Sequence, residues 1–481
     1  MEYGIKSIGA YLPYRYLPQT AIGAAWGSRG GKGFKSVADV DEDSITMAVE
    51  AGMGCFRFFD RKDVSAVYFA TTTAPYAEKL NSALISVACD LQDDKVFSAD
   101  VTSSTRAGTN ALKMAVSTVR AEPDANVLVT AADVRLGYPK SAQESRFGDG
   151  AAAVIVGAEE NGDNLMASID YMSFINEEIN DYWRNSDEKY TRHAEARFCD
   201  EAGYLGQLNL ILKKVLKETG LKTEDFAKAV VVGQQAKTLL KFCTKNKITP
   251  EQTVSTLLSE AGDTGSAQAL LGIVNALENA EPGQKILVLD YGNGAGAAVL
   301  TVKEGIRKLN GAKQIERYLG TRAPLDSYAR YLSWRGIAQA EPGTPYKVQP
   351  SWAQTWREQR INLRLHGSVC RKCGSALFPI NRVCDCCGSK DDYDEFSAQE
   401  DICRLYTFSI DEFAGQSDDP VIIQAVAETA NGAHVYTLMT DFVREEVKTD
   451  MECEFTFRRF NELGNFPNYF WKLRPLRREQ R

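Results

Sequence analysis

Two stretches of this 481-residue chain repeat one another, and that repeat limits the fold more than any single motif does. One runs TRAGTNALKMAVSTVRAEPDANVLVTAAD from Thr105. The other runs DTGSAQALLGIVNALENAEPGQKILVLDYG from Asp263, at an offset of roughly 160 residues with a one-residue insertion. Each is a small-residue turn, an amphipathic helix, a Glu-Pro step and an apolar strand. A glycine-rich turn and a second apolar strand follow in both places, GDGAAAVIVG from Gly148 and GNGAGAAVLTV from Gly292. Upstream, VSAVYFATT at Val64 and KAVVVGQQ at Lys228 each follow a helical stretch and extend the match backwards. Residues 1–162 and 163–305 are therefore expected to be two copies of one α/β unit.

Continuous Val, Ile and Leu strands separated by helices indicate sheets buried on both faces. Two such sheets with helices between and outside them predict a layered α/β/α/β/α body. The turns at Thr105 and Asp263 fall between a strand and a helix, where unpaired backbone N–H groups and the helix dipole favour negative charge. They suit oxyanion chemistry. Equally, their small residues could serve only to bring the helix close to the sheet.

Beyond residue 305 the pattern changes. Residues 306–365 read as a polar, helical connector with Trp334, Trp352 and Trp356 set among charges. Then comes VCRKCGSALFPINRVCDCCGS, with Cys370-x2-Cys373 and Cys384-x2-Cys387 ten residues apart. Four thiolates in two such knuckles satisfy a tetrahedral zinc completely and leave no open position for water, so the expected metal is structural. Cys386 lies too close to Cys384 for the usual knuckle spacing. The ribbon is placed at 366–392. The alternating runs ICRLYTFSI, PVIIQAVAETANGAHVYTLMTDF and ECEFTFRRF place a small all-β barrel at 393–481, with Asn431-Gly432 marking a hairpin turn.

Composition serves mainly to exclude. With 44% apolar and 25% charged residues the chain is ordinary soluble globular material, and no stretch reaches the apolar length of a membrane span. Its start, MEYGIKSIGAYLP, lacks the pattern of a secretion signal, which leads us to expect a cytoplasmic protein. A net charge of −8 argues against nucleic-acid partners while leaving room for a local basic patch. Five of the eleven cysteines fall within residues 370–387, and in a cytosolic chain such clustering reads as metal ligation instead of disulfides.

Four segments carry a resemblance: VYFATTTAPYAEK (67–79), SSTRAGTNAL (103–112), DYWRNSDEKYTRHAEARF (181–198) and LDYGNGAGAAV (289–299). Over nearly all of residues 1–305 the chain resembles the archaeal and bacterial type of 3-hydroxy-3-methylglutaryl-CoA synthase, in the thiolase superfamily. The C-terminal part resembles the rubredoxin-like zinc ribbon with an OB-fold that accompanies thiolases and such synthases as a separate subunit. The resemblance implies a thiolase-like five-layer fold, coenzyme A as part of an acyl-CoA substrate, a homodimer formed through the thiolase-like domain, and a thiolase as possible partner.

It also implies departures. At the places of the family's catalytic cysteine, glutamate and histidine stand Thr105, Thr72 and Gly233; Asp263 takes the place of the asparagine, and Gln234 is kept. A hydroxyl nucleophile needs an adjacent base, and His193 is the one histidine of the α/β body. Thr105 is accordingly read as an oxyanion donor or as a plain N-cap. Aldol or retro-aldol chemistry on a β-hydroxyacyl-CoA needs two proton-transfer groups and no acyl-enzyme. Thiolase-like retro-aldolases that pair with ribbon/OB proteins use tyrosines. The candidates for catalysis are Thr105, Tyr190, His193, Asp263 and Tyr291, with Tyr76 more remote; Gln234, Gly265 and Gly294 are the candidates for contacting the coenzyme. Two other readings stand beside this one: a non-catalytic acyl-CoA scaffold that channels to a thiolase, and an acyltransferase with a nucleophile other than cysteine.

Overall fold

A computed structural model describes residues 1–162, 164–339, 351–412, 414–415, 421–463 and 466–477. The chain forms two compact units, one of residues 1–39 and 43–328, the other of 40–42 and 329–481. The boundary after Tyr328 falls inside the stretch read as a connector, of which residues 340–350 lie outside the described residues.

The first unit bears out the duplication strand for strand. In the first copy β1 (Glu2–Tyr11), α1 (Ser44–Phe56), β2 (Ala66–Thr71), α2 (Asn81–Ala88), β3 (Phe97–Thr102), α3 (Ala107–Ala121), β4 (Val127–Asp133) and β5 (Gly150–Glu159) follow in turn. The second copy repeats the series as β6 (Ala167–Asn176), α4 (Gly206–Thr219), β7 (Lys228–Val231), α5 (Ala236–Lys245), β8 (Thr253–Val254), α6 (Gln268–Glu278), β9 (Lys285–Tyr291) and β10 (Gly294–Val302). The ten strands hydrogen-bond in the order β8-β7-β9-β10-β6-β1-β5-β4-β2-β3, which reads the same from either end once the copies are matched. Parallel and antiparallel neighbours match as well. β2 is parallel to β3 and β4, β7 is parallel to β8 and β9, and both second strands of the glycine-turn hairpins run antiparallel. The copies meet where β1 pairs with β6 at Gly4–Ser168 and Ile5–Ala167.

Strands β4 and β9 are apolar along almost their whole length because helices cover both of their faces. α3 and α6 pack on each other between the halves, α1 and α2 cover the first half, and α4 covers the second, giving the expected five layers. Alanine and glycine fill β5 and β10, and this lets the central helices approach; α6 lies against β5. Asp43 starts α1 by accepting from the amides of Ile45 and Thr46 at 2.9 Å while the Thr46 hydroxyl takes the Asp43 amide, a reciprocal cap. No helix among the described residues is long and apolar enough to cross a membrane.

In the second unit β11 (His366–Cys370), β12 (Ala376–Leu377) and β13 (Tyr393–Ser397) form the three-stranded sheet of the ribbon. Tyr393–Ser397, read from sequence as the start of the barrel, pairs instead with His366–Cys370. The barrel follows as β14 (Ile402–Asp411), β15 (Ile422–Glu428), β16 (His434–Leu438), β17 (Glu452–Leu463) and β18 (Phe466–Pro475), in the order β16-β15-β14-β17-β18. Every second residue of β15 and β16 is buried, as are Phe457 and Trp471 on the strands β17 and β18 of the barrel. The Thr440 amide donates to Leu473 O at 2.9 Å beside a bridge between Met439 and Leu473, so the first and last strands of the order nearly close the wall.

Candidate active site

In an α/β sheet, ligands bind beyond the carboxyl ends of the parallel strands. There the first unit has a cleft of about 340 Å³, lined by Thr71 and Thr72 at the end of β2, Thr102–Thr105 at the end of β3, Arg135 after β4, Gln234 after β7, Tyr291–Asn293 at the end of β9, and the loop Asp181–Ser186. Neither cysteine nor histidine is among the described lining residues.

Two buried carboxylates brace the walls. Asp133, at the end of β4, accepts from the Thr71 hydroxyl at 3.0 Å, the Thr72 amide at 2.6 Å and the Thr73 hydroxyl at 2.9 Å with one oxygen. Its other oxygen accepts from the Ser266 amide at 2.8 Å, in the turn of the second copy. Asp290, at the end of β9, accepts from the Thr109 hydroxyl at 2.7 Å and the Tyr291 amide at 2.8 Å. Burial lifts the Asp290 carboxyl to about 6, against the pull of those two bonds and of Arg106. Arg106 itself is fixed by Ile175 O and Asn176 Oδ1, both at 2.8 Å.

At the base of the cleft the Tyr291 hydroxyl donates to Asp181 Oδ2 in a short bond, and Asp181 Oδ1 accepts from the Tyr182 amide at 2.8 Å. Burial raises the Asp181 carboxyl above the usual carboxylate range, and the bonds from Tyr291 and Tyr182 only partly counter it. Burial and then the Asp181 charge push the Tyr291 hydroxyl far above its ordinary value, because its anion would stand beside a carboxylate. The phenol therefore keeps its proton as long as Asp181 lacks one.

Of the residues proposed from sequence, Thr105, Gln234 and Tyr291 meet in this cleft. The Thr105 hydroxyl does not cap α3. It donates to Tyr291 O at 3.2 Å and so ties the two copies together, while the Ser104 hydroxyl takes the Arg106 amide at 3.2 Å. Asp263 lies behind the wall, its carboxylate 3.1 Å from Arg135 Nη1 and accepting the Gly265 amide at 2.9 Å. Gly265 has φ +60°, and a Cβ there would fall 2.3 Å from Asp133 Oδ2; this makes it part of the frame. Gly294 has φ +104° and abuts Ile175 O in the same way. Tyr190 and His193 are not in the lining. Tyr190 packs on Tyr138 with ring centres 4.6 Å apart and planes tilted by 31°, and exposed His193 holds Ala194 O at 2.7 Å through Nδ1. Sequence reasoning passed over Asp181 and Arg135. Asp181 heads the segment DYWRNSDEKY, and a carboxylate opening a tyrosine- and arginine-rich loop was the available signal.

In the second unit the four sulfurs of Cys370, Cys373, Cys384 and Cys387 lie within 4.8 Å of one another, with Cys370–Cys387 at 3.7 Å and Cys373–Cys384 at 3.6 Å. Tetrahedral zinc with bonds of ~2.3 Å sets sulfurs roughly 3.8 Å apart, so the residues fit that ion. Both knuckles turn alike: the Gly374 and Gly388 amides donate to Cys370 O and Cys384 O at 2.8 and 2.9 Å. Cys386 is exposed and outside the cluster.

Comparison with known proteins agrees with the architecture of the first unit. The family model described as 3-oxoacyl-[acyl-carrier-protein (ACP)] synthase III matches residues 99–173. Hydroxymethylglutaryl-CoA synthase of Pyrococcus horikoshii is 33% identical over 341 residues, which cover 69% of this chain and 96% of that protein. The corresponding protein of Aeropyrum pernix is 31% identical, with 69% and 94% covered. Among solved structures, an HMG-CoA synthase complexed with CoA superposes with a TM-score of 0.63 at 21% identity, covering 73% of this chain and 95% of that one. The 3-oxoacyl-(acyl carrier protein) synthase III of Pseudomonas aeruginosa follows at 0.57 and 16%, covering 63% and 98%.

Proposed function

Because the chain belongs to the hydroxymethylglutaryl-CoA synthase family, we propose that it acts on an acyl-CoA thioester by making or breaking a carbon–carbon bond without acylating itself. The substrate is a β-hydroxyacyl-CoA, cleaved or formed by aldol chemistry. The Asp181–Tyr291 pair carries this reading, in a cleft whose described lining has no cysteine or histidine.

In the cleavage direction Asp181 takes the proton of the β-hydroxyl, the carbon–carbon bond opens to a ketone or aldehyde, and the enolate of the shorter acyl-CoA remains. Once Asp181 is protonated its repulsion of a phenolate is gone. Tyr291 can then give its proton to the enolate carbon and recover one from Asp181, which restores both groups. Burial, by lifting Asp181, brings this base closer to working pH. Ser103 and Ser104 supply hydroxyls on the wall for the thioester oxygen. Thr105 is a poor nucleophile, since its hydroxyl is directed at a backbone carbonyl and not at a base. In the ribbon, zinc held by Cys370, Cys373, Cys384 and Cys387 would supply folding energy and no chemistry.

The test is a panel of β-hydroxyacyl-CoAs assayed for a carbonyl product together with a shortened acyl-CoA, with intact-protein mass spectrometry alongside. Paired products and no adduct are expected. An acyl adduct, or no product from any member of the panel, overturns the reading.

A further inference from the structure

The helix that ends in α4 begins with an irregular turn. From Cys199 to Leu205 it is wound as a π-helix, and the Gly206 amide donates to Glu201 O, five residues back. Phe198, Cys199, Leu205 and Gly206 all keep right-handed helical dihedrals, so the wide turn lies inside one continuous helical run from Ala196 to Thr219. Such turns are rare and packed less favourably than α-helix, and they persist where the surroundings gain from them.

Here the surroundings are the proton pair. Cys199, Gly203, Tyr204 and Leu205 are the buried residues of the turn, and the first three meet the pair. Cys199 Sγ donates to Asp181 O at 3.6 Å, and Tyr204 donates to Val232 O at 2.7 Å while its ring meets that of Tyr291 edge-on at 5.6 Å. Gly203 faces the hydroxyl itself. A Cβ at that position would lie 2.4 Å from Tyr291 Oη and 3.5 Å from Asp181 Oδ2. Gly203 is not among the residues with positive φ, so its backbone does not require glycine, and glycine is a poor helix former compared with alanine. What requires it is the space taken by the Tyr291 hydroxyl.

We propose that Gly203, presented by the π-helical turn Cys199–Leu205, is the positioning residue that keeps the Tyr291 hydroxyl on Asp181. The proposal rests on the reading of Asp181 and Tyr291 as the proton-transfer pair. A methyl group at 203 forces the hydroxyl off the carboxylate, and the relay loses its second step.

A double-mutant cycle with Gly203→Ala and Tyr291→Phe tests it, read both by thermal unfolding and by turnover over a pH series. Gly203→Ala alone is expected to lower the unfolding temperature, cut kcat about 100-fold with KM nearly constant, and move the pH optimum. In the Tyr291→Phe background, where the clashing oxygen is gone, the same substitution is expected to leave the unfolding temperature unchanged or raise it. Equal destabilisation in both backgrounds overturns the proposal, since Gly203 would then serve the helix alone. Wild-type kcat and pH optimum in Gly203→Ala overturn it too. Full turnover in Tyr291→Phe sinks the proton-pair reading and the positioning role with it, whereas the stability cycle reads the contact independently of turnover.

Discussion

Asp133 ends β4 and Asp290 lies one residue before the end of its counterpart β9, and each accepts a hydrogen bond from the other copy: Asp133 from the Ser266 amide at 2.8 Å, Asp290 from the Thr109 hydroxyl at 2.7 Å. The two halves of the cleft are thus locked by a reciprocal exchange at the ends of matched strands. Asp133 spends its remaining oxygen on the Thr71–Thr73 turn, whereas Asp290 takes the amide of Tyr291, the tyrosine that reaches Asp181.

A raised carboxyl makes stability fall as pH rises, because the folded state holds a proton that the unfolded chain has already released. For Asp290, with an ordinary value of 3.8 and a folded one of about 6, the loss runs between those pH values. At 1.36 kcal/mol per pH unit it comes to on the order of 3 kcal/mol. Asp290→Asn should flatten urea-unfolding stability across pH 4–7 relative to the parent. An unchanged slope would mean that Asp290 ionises as freely folded as unfolded.

Asp181→Asn should abolish the base while keeping the shape of the cleft. Turnover is expected to fall on the order of 10²–10⁴-fold, the usual worth of a positioned acid–base group, with the unfolding temperature held or raised. Steady-state kinetics beside a thermal melt decide this. Loss of fold in step with activity would instead mark Asp181 as structural.

Arg135 and Asp263 form a buried ion pair with little exposure on either side chain. Removing one partner leaves the other charge stranded, so Arg135→Met is expected to destabilise the first unit by about 3–5 kcal/mol. Adding Asp263→Asn should recover much of that loss. Denaturant midpoints of the single and double variants measure it, and additive losses would refute the coupling.

Metal removal should act on the ribbon. Extraction with a strong thiol-competing chelator is expected to release zinc stoichiometric with protein, Cys373→Ser to lower the bound zinc, and both to melt the ribbon. Metal analysis and calorimetry report both effects. A zinc-free preparation with an unaltered ribbon would refute the assignment.

The order of residues by itself determined the duplication, since two α/β units with matching turns, helices and strands have one economical way to bury faces that are apolar on both sides. It determined the ribbon as well, because thiolate spacing is a local property: Cys370, Cys373, Cys384 and Cys387 find one another within a short hairpin. It brought Thr105, Gln234 and Tyr291 to notice through small-residue turns and a resemblance. What only the tertiary structure decided is which side chains face each other across the cleft. Tyr291 and Asp181 are separated by 110 positions, and nothing local to either distinguishes a phenol buried against a carboxylate from one in solvent. His193 and Tyr190 sit in the same promising loop as Asp181, yet the loop turns them away from the cleft and Asp181 toward it. Direction is set by packing between distant segments, and burial, which tunes both acid groups, exists only once those segments have met.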